Sequence, residues 1–277
     1  MGVLLAGVAA LGYGVGDFLG GAATRRLHVV GTLFWAHLVG FVLIGAWIPF
    51  DRGRPLAPDI SAGLLAGILG LGGLLFLYTG LARGRAAVVA PVAAVVGAIV
   101  PVTVGVAGGE PLGPVGWTGV AAALPAIYLA STIDGVGRRA AGLSYGLGAG
   151  LFFGGHFVAF AQATSEAGMW PVLASRGLTT VLLGVLALVM RGRWNVTPTG
   201  RVRFVLFGVG ALDLIGNVGY VTAVNLAPLA VVAVVASLYP AVTVLMARFV
   251  YSEILSPAQI AGLGLAVVAV ACFSVVG

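Results

Sequence analysis

The chain has 277 residues, 60% of them hydrophobic and only 8% charged, with a mean hydropathy of +1.14. A soluble domain carries roughly a quarter charged residues, so this composition excludes a soluble enzyme, a disordered chain and a nucleic-acid-binding protein. All 14 basic residues are Arg and the formal net charge is +6, which leaves no lysine for Schiff-base chemistry or for a Walker-type phosphate loop. What remains is an all-α integral membrane protein with the lipid bilayer as its surroundings.

A span needs about 20 mostly apolar residues, and ten such segments follow one another along the chain. They are residues 3–23, 29–50, 60–81, 86–107, 115–133, 143–163, 170–190, 204–224, 229–251 and 257–276. The gaps hold arginines and turn formers and are too short for a separate soluble domain. The first segment is apolar from Val3 with no basic stretch before it, so it reads as a span and not as a cleaved signal. The single cysteine, Cys272, excludes an internal disulfide and a thiolate metal site. Neither a metal nor another cofactor is expected, and the chain is expected to act as a monomer.

The sequence repeats. Glu110-x-Leu112-x-Pro114-x4-Gly119 recurs as Glu253-x-Leu255-x-Pro257-x4-Gly262, a shift of 143 residues. Gly16-Asp17-Phe18 meets Gly155-His156-Phe157 at a shift of 139. Two halves of five helices follow, residues 1–139 and 140–277. An odd number of helices per half makes the second half enter the membrane from the opposite side, an inverted repeat. Transporters built this way bind their substrate near the midplane, between the repeats.

These features resemble the drug/metabolite transporter superfamily, in particular its ten-helix EamA-like members. The resemblance rests on the two Glu-x-Leu turns, on Pro240 and on the run Gly12-Tyr-Gly-Val-Gly-Asp-Phe-Leu-Gly20. It implies a multi-pass transporter of the cytoplasmic membrane that moves a small metabolite, often exporting amino acids or related compounds. Partly on this resemblance, helices one, three, four, six, eight and nine are expected around a central cavity. An intramembrane enzyme and a sensor are the competing classes. The chain holds no His-Glu-x-x-His, Gly-x-Ser-x-Gly or Cys/His cluster, and no soluble domain to signal through.

Ionisable side chains inside spans are costly and usually face a cavity. Five stand out: Asp17, His37, His156, Arg176 and Asp213. Rise per residue puts Asp17 and His37 about 9–12 Å below one surface, and His156 and Arg176 about 9–11 Å below the other. This predicts two facing pairs, with the two histidines near opposite faces. Asp17, His37, His156 and Asp213 are the candidates for proton coupling. Arg176 is read as the structural partner of Asp213, which a long side chain can reach. Asn217 and Tyr220 follow Asp213 on nearly its face, and Tyr13 precedes Asp17 on one face. With Trp35, Tyr78, Phe157 and Tyr239 they form a candidate lining, since aromatics around a carboxylate suit an ammonium group. Glu110 and Glu253 read as structural caps on the helices that follow them. Pro101 and Pro240 free backbone carbonyls inside the membrane and sit about one turn out of register between the halves. Glycines at four-residue intervals, Gly12, Gly16 and Gly20 and again Gly142, Gly146, Gly150 and Gly154, form smooth faces for close helix packing.

The loops after odd-numbered segments hold ten arginines: 25, 26, 83, 85, 138, 139, 191, 193, 201 and 203. The other side holds Arg52 and Arg54. The positive-inside rule therefore puts both termini outside, and a fluorescent protein fused to either terminus should stay dark; a fusion that glows in the cytoplasm reverses the orientation.

Overall fold

The computed structural model describes residues 1–83, 86–107, 113–130, 136–189, 198–227, 229–251 and 256–276. All regular structure among them is helical. The helices are α1 (Gly2–Thr24), α2 (Val29–Trp47, prolonged by a 3-10 turn Ile48–Phe50), α3 (Ala57–Arg83), α4 (Ala86–Ala107) and α5 (Pro114–Ala130). There follow α6 (Val136–Ala161), α7 (Trp170–Val189), α8 (Val202–Val224), α9 (Leu229–Ala236), α10 (Tyr239–Tyr251) and α11 (Pro257–Val276). Among the described residues six stretches are long and apolar enough to cross a bilayer: Gly2–Thr24, Val29–Phe50, Ala57–Arg83, Gly142–Ala161, Trp170–Val189 and Val202–Val224. Large apolar side chains lie exposed on many helices, Leu4, Leu151, Val189 and Phe249 among them, as expected where the outer solvent is hydrocarbon. The protein is a multi-pass membrane protein.

Two elements depart from the sequence expectation. The helix expected at residue 143 already begins at Val136 and takes in the backbone of Arg138 and Arg139. The segment expected as one helix over residues 229–251 is broken at Ser237 and Leu238. Pro240 has no N–H to give the carbonyl of Ala236, four residues back and the last of α9. The chain closes α9 with bonds from Ser237 N to Ala233 O (2.9 Å) and Leu238 N to Val235 O (3.1 Å). It then restarts, with Pro240 in the first turn of α10, where a missing N–H costs little. By contrast α4 runs through both Pro91 and Pro101 without a break, so the out-of-register prolines do leave the two segments shaped differently.

Packing partners exchange between the halves. α1 lies on α8 and α3 on α6; α2 meets both α7 and α8, and α3 also meets α7. α1 touches α9 and α10 while α4 touches α6, and α5 lies on α11. Swapping α1 with α6, α2 with α7, α3 with α8, α4 with α9 and α10, and α5 with α11 maps these contacts onto themselves.

Glycine permits the closest approaches. A Cβ on Gly12 would lie 2.7 Å from Leu212 O on α8, so α1 and α8 touch backbone to backbone. On α6 the stripe of Gly146, Gly150 and Gly154 seats Val92, Val96 and Val100 of α4. The stripes therefore do packing work. Gly12→Ala must push α8 away and should destabilise the protein by about 1–3 kcal/mol. Gly7→Ala, with nothing within 4 Å, should be neutral, and thermal unfolding of the two variants in detergent compares them.

Candidate functional site

Seven helices meet around one partly open cavity with about 450 Å³ of empty space, its mouth included. α1 supplies Tyr13 and Asp17, α2 His37, α6 Phe153, His156 and Phe157, α7 Ser175 and Arg176, α8 Asp213 and Asn217, and α10 Tyr239. α3 supplies the small wall of Ala66, Gly67 and Gly70, with Leu71 and Leu74 beside it. Among the described residues α4 contributes none and α2 and α7 contribute three, which corrects the expected set of lining helices. The break before Pro240 is what delivers Tyr239: it is the first residue of α10.

Arg176, 4% exposed, sets the electrostatics. Its Nη2 makes an ion pair with Asp213 Oδ2. Its Nη1 stands 3.3 Å from His37 Nδ1 and 3.4 Å from His37 Nε2. A donor aligned with one lone pair is close to one ring nitrogen, not both, so the guanidinium lies over the imidazole face. The ring is held from its other side. Thr179 Oγ1 donates to Ser175 O (2.9 Å), so at 2.6 Å it accepts from His37 Nδ1–H. His156 is fixed through Nδ1–H, which donates to Ala66 O of α3 at 2.8 Å.

The sequence-derived pairs do not form. Arg176 meets His37 and Asp213, not His156, because α2 packs against α7 and α8. His37 and His156 line the same cavity, although their depths suggested opposite faces. Depths of about 9–12 Å from either side of a hydrocarbon core about 30 Å thick leave only about 10 Å between them, which one cavity bridges. Asp17 is 5% exposed, and among the described residues no basic side chain forms an ion pair with it.

Aromatic rings form the rest of the wall. Tyr13 stands 6.3 Å from both Phe157 and Tyr239, edge-on to the latter, and Phe153 is edge-on to Tyr239 at 5.8 Å. Tyr220 stands behind this layer: it stacks on Phe157 at 4.6 Å and its hydroxyl donates to Phe157 O at 3.2 Å. Tyr78 also lies off the cavity, filling the space a side chain would need at Gly20 and so wedging α3 against α1. Trp35 is elsewhere, beside Ala23, Leu27 and Leu206. Three aromatics of the expected lining are thus supports. Phe153 and Ser175 are lining residues that sequence reasoning missed. Phe153 sits one turn before Phe157, a spacing that could have found it; Ser175 carries no such signal. Pro101 is buried on α4, away from the cavity. Glu110 and Glu253 lie outside the described residues.

Four buried polar atoms on this cavity have no hydrogen-bond partner within the protein: Tyr13 OH, Tyr239 OH, Asn217 Oδ1 and Arg176 Nε. Asn217 Nδ2 is already given to Asp213 O at 2.8 Å. A buried orphan of this kind costs about 1–3 kcal/mol, and four in one place mark a volume built to receive polar atoms from elsewhere.

A family model described as EamA-like transporter family matches residues 1–132 and again residues 140–275. The chain belongs to the EamA-like transporter family. This places it in the drug/metabolite transporter superfamily, and both matches together take in every element that lines the cavity. A crystal structure titled only as that of a protein is similar over 99% of this chain and 96% of its own, at 16% identity and a TM-score of 0.73, a likeness of fold. No curated protein matches the chain.

In this EamA-like chain the buried ion pair has a measurable signature. Removing one member strands the other in the membrane, so Arg176→Met or Asp213→Asn alone should cost about 3–5 kcal/mol. Replacing both with apolar residues, Arg176→Met with Asp213→Leu, should recover most of that loss in thermal unfolding. A double variant no better than either single one would mean that the pair is not what holds α7 to α8.

Proposed function

We propose that this protein is a secondary transporter that moves a small amine-bearing metabolite, in the simplest case an amino acid, out across the cytoplasmic membrane by alternating access. On this reading it performs no chemistry on its cargo. Export is the direction the family resemblance implies. The observation that carries the reading is the convergence of Asp17 and four unpartnered polar atoms on one cavity inside a transporter fold.

The architecture proposed is ten spans in two inverted halves, residues 1–139 and 140–277, with α9 and α10 as one interrupted span. The exchange of packing partners supports it. So does the placement of the helix ends. Hydrogen bonds join the loop after α2 to the loop after α6, so α2 and α6 finish on one face. α2 runs opposite to α1, and α6 with it, as an inverted repeat requires.

Two ends of a zwitterion find partners in the cavity. An ammonium group fits between Asp17 and the rings of Tyr13, Phe157 and Tyr239, with the carboxylate supplying charge and the ring faces supplying cation–π attraction. A carboxylate fits Arg176. Nε and Nη2 form one edge of the guanidinium, suited to a bidentate carboxylate, and Asp213 occupies only Nη2 while Nε has no partner. That edge is half filled. Arg176 is then more than the structural partner of Asp213: it offers a substrate the donor that Asp213 leaves open.

Of the coupling candidates, Asp213 is tied to Arg176, His37 to Thr179 and His156 to Ala66. Asp17 carries no such tie. A carboxyl that holds either a proton or the ammonium, but not both, links export of one to entry of the other. Substrate-dependent flux in proteoliposomes tests the function. Asp17→Asn should weaken binding by about 1.5–3 kcal/mol, roughly 10- to 150-fold, and should abolish the response of counterflow to a pH gradient. Unchanged binding and pH response in a well-folded Asp17→Asn protein would remove Asp17 from both roles and shift attention to Asp213.

A further inference from the structure

One face of the bundle is fastened by a set of bonds that the cavity does not use. The loop after α2, residues 51–56, and the loop between α6 and α7, residues 162–169, come from different halves of the chain. Asp51 Oδ2 accepts from Met169 N at 2.8 Å. Asp59 Oδ1 accepts from Thr164 N at 2.7 Å, while its Oδ2 accepts from Leu56 N at 2.7 Å. Arg54 N donates to Glu166 O at 2.7 Å. Each carboxylate thus grips the backbone of the opposite loop, and Asp59 also ties down its own.

The backbone is shaped for this grip. Gly168 has φ +56, a left-handed conformation that favours glycine, and the Asp51 carboxylate lies where its Cβ would be. A Cβ on Gly53 would lie 2.5 Å from Ala167 O, so the two loops touch main chain to main chain. Directly beneath, α3 and α7 are pressed together. A Cβ on Gly67 would lie 2.9 Å from Ser175 O, and Gly63 abuts Pro171 as closely. Ala66, Gly67 and Ser175 are also lining residues of the cavity. Seven residues separate Asp59 from Ala66 and six separate Met169 from Ser175, so the fastening lies about 10 Å above the cavity along both helices.

The counterpart segments at the other face carry no carboxylate for such a grip. The corresponding segment of the second half, residues 190–203, reads Met-Arg-Gly-Arg-Trp-Asn-Val-Thr-Pro-Thr-Gly-Arg-Val-Arg and holds no carboxylate. Nor does Arg25-Arg-Leu-His28, the loop it would face. At the repeat shift of 139, Asp51 corresponds to Met190 and Asp59 to Pro198.

We propose that Asp51 and Asp59 form a one-sided gate: a carboxylate latch that closes the cavity toward the α2–α3 face and must break for the cavity to open there. The two residues are positioning residues. They touch no substrate and set the population of the state open to their face. The proposal rests on the reading of the cavity as a transport site, but its test counts access and not flux.

In a Cys272→Ala background, Ser175→Cys places a lone thiol on the cavity wall beneath the latch. A membrane-impermeant cationic thiol reagent is applied from each face in turn. With the latch intact, modification from the α2–α3 face is slow. Asp51→Ala, Asp59→Ala and the double variant should each raise that rate, the double by about tenfold or more, without raising the rate from the other face. Asp59 also holds the first turn of its own helix; should its variants fail to fold, Asp51→Ala alone decides, since its carboxylate bonds only the opposite loop. Unchanged access in folded Asp51→Ala protein overturns the gate. Faster access in a protein that transports no amine keeps the gate and overturns the transport reading.

Discussion

A charge inside hydrocarbon has to find its counter-charge within the protein, and the middle of this molecule is arranged around that constraint. Arg176 is the single arginine among the described residues that line the cavity. It draws Asp213 from the next helix and stands over His37 from the other half of the chain. These contacts fix where α2, α7 and α8 meet. They also decide what is left over. With Asp213 answered by Arg176, Asp17 stands alone, and the cavity keeps one carboxyl, a half-used guanidinium edge and two tyrosine hydroxyls without partners. The same economy that makes a buried ion pair affordable makes an unanswered carboxyl beside it a statement about cargo.

Helix approach supplies the second condition. Polar groups from seven helices can converge on one small cavity only if the helices come closer than ordinary side chains allow. Gly12 lets α1 reach the backbone of α8, and Gly67 lets α3 reach that of α7. The break between α9 and α10 does the complementary work. By interrupting the helix it turns Tyr239 into a first-turn residue and leaves the hydroxyl of Thr243 to bond Gly14 O at 2.9 Å, which ties α10 to the same stretch of α1 that carries Tyr13 and Asp17.

Much of this was legible in the sequence, and the residues show why. Among the described residues eight of the eleven helices begin and end within a few residues of the apolar segments because hydropathy and turn formers mark both ends of a span; α6 starts seven residues early, and the interrupted segment gives the two short helices α9 and α10. Pro240 announced a disturbance, but a proline says only that a bond is missing, and the continuous α4 with two prolines shows that the same signal can be absorbed. The aspartates, histidines and arginine that line the cavity were all singled out, since charge is rare enough in such a chain to be conspicuous, but Asp59, buried at the start of α3, was not. The partners of the lining residues were not. Depth along a helix follows from counting residues; azimuth follows from which helices pack together, and that is a property of two halves interlocking. Hence Arg176 was rightly given to Asp213, whereas the stacking on His37 and the supporting roles of Tyr78, Tyr220 and Trp35 appeared only in three dimensions.

Interlocking halves raise a question of balance. Exchanging equivalent helices leaves the main contacts between the halves unchanged, so the broad topology gives the two ends of the bundle little reason to differ. Any bias between them must be written in side chains. Here the acids are sorted unequally: Asp51, Asp59 and Glu166 gather at the joined loops beside Arg52 and Arg54, while the counterpart segment holds Arg191, Arg193, Arg201 and Arg203 and no acid. Carboxylates are acceptors and can fasten free backbone N–H groups of a facing loop; guanidinium groups are donors and reach for carbonyls instead, as Arg25 Nη2 does for Leu81 O. A few such bonds amount to a few kcal/mol, the size of the gap that separates a dominant conformer from a minor one. On the transport reading, repetition of the fold supplies two gates, and divergence of a handful of loop residues decides which of them rests closed.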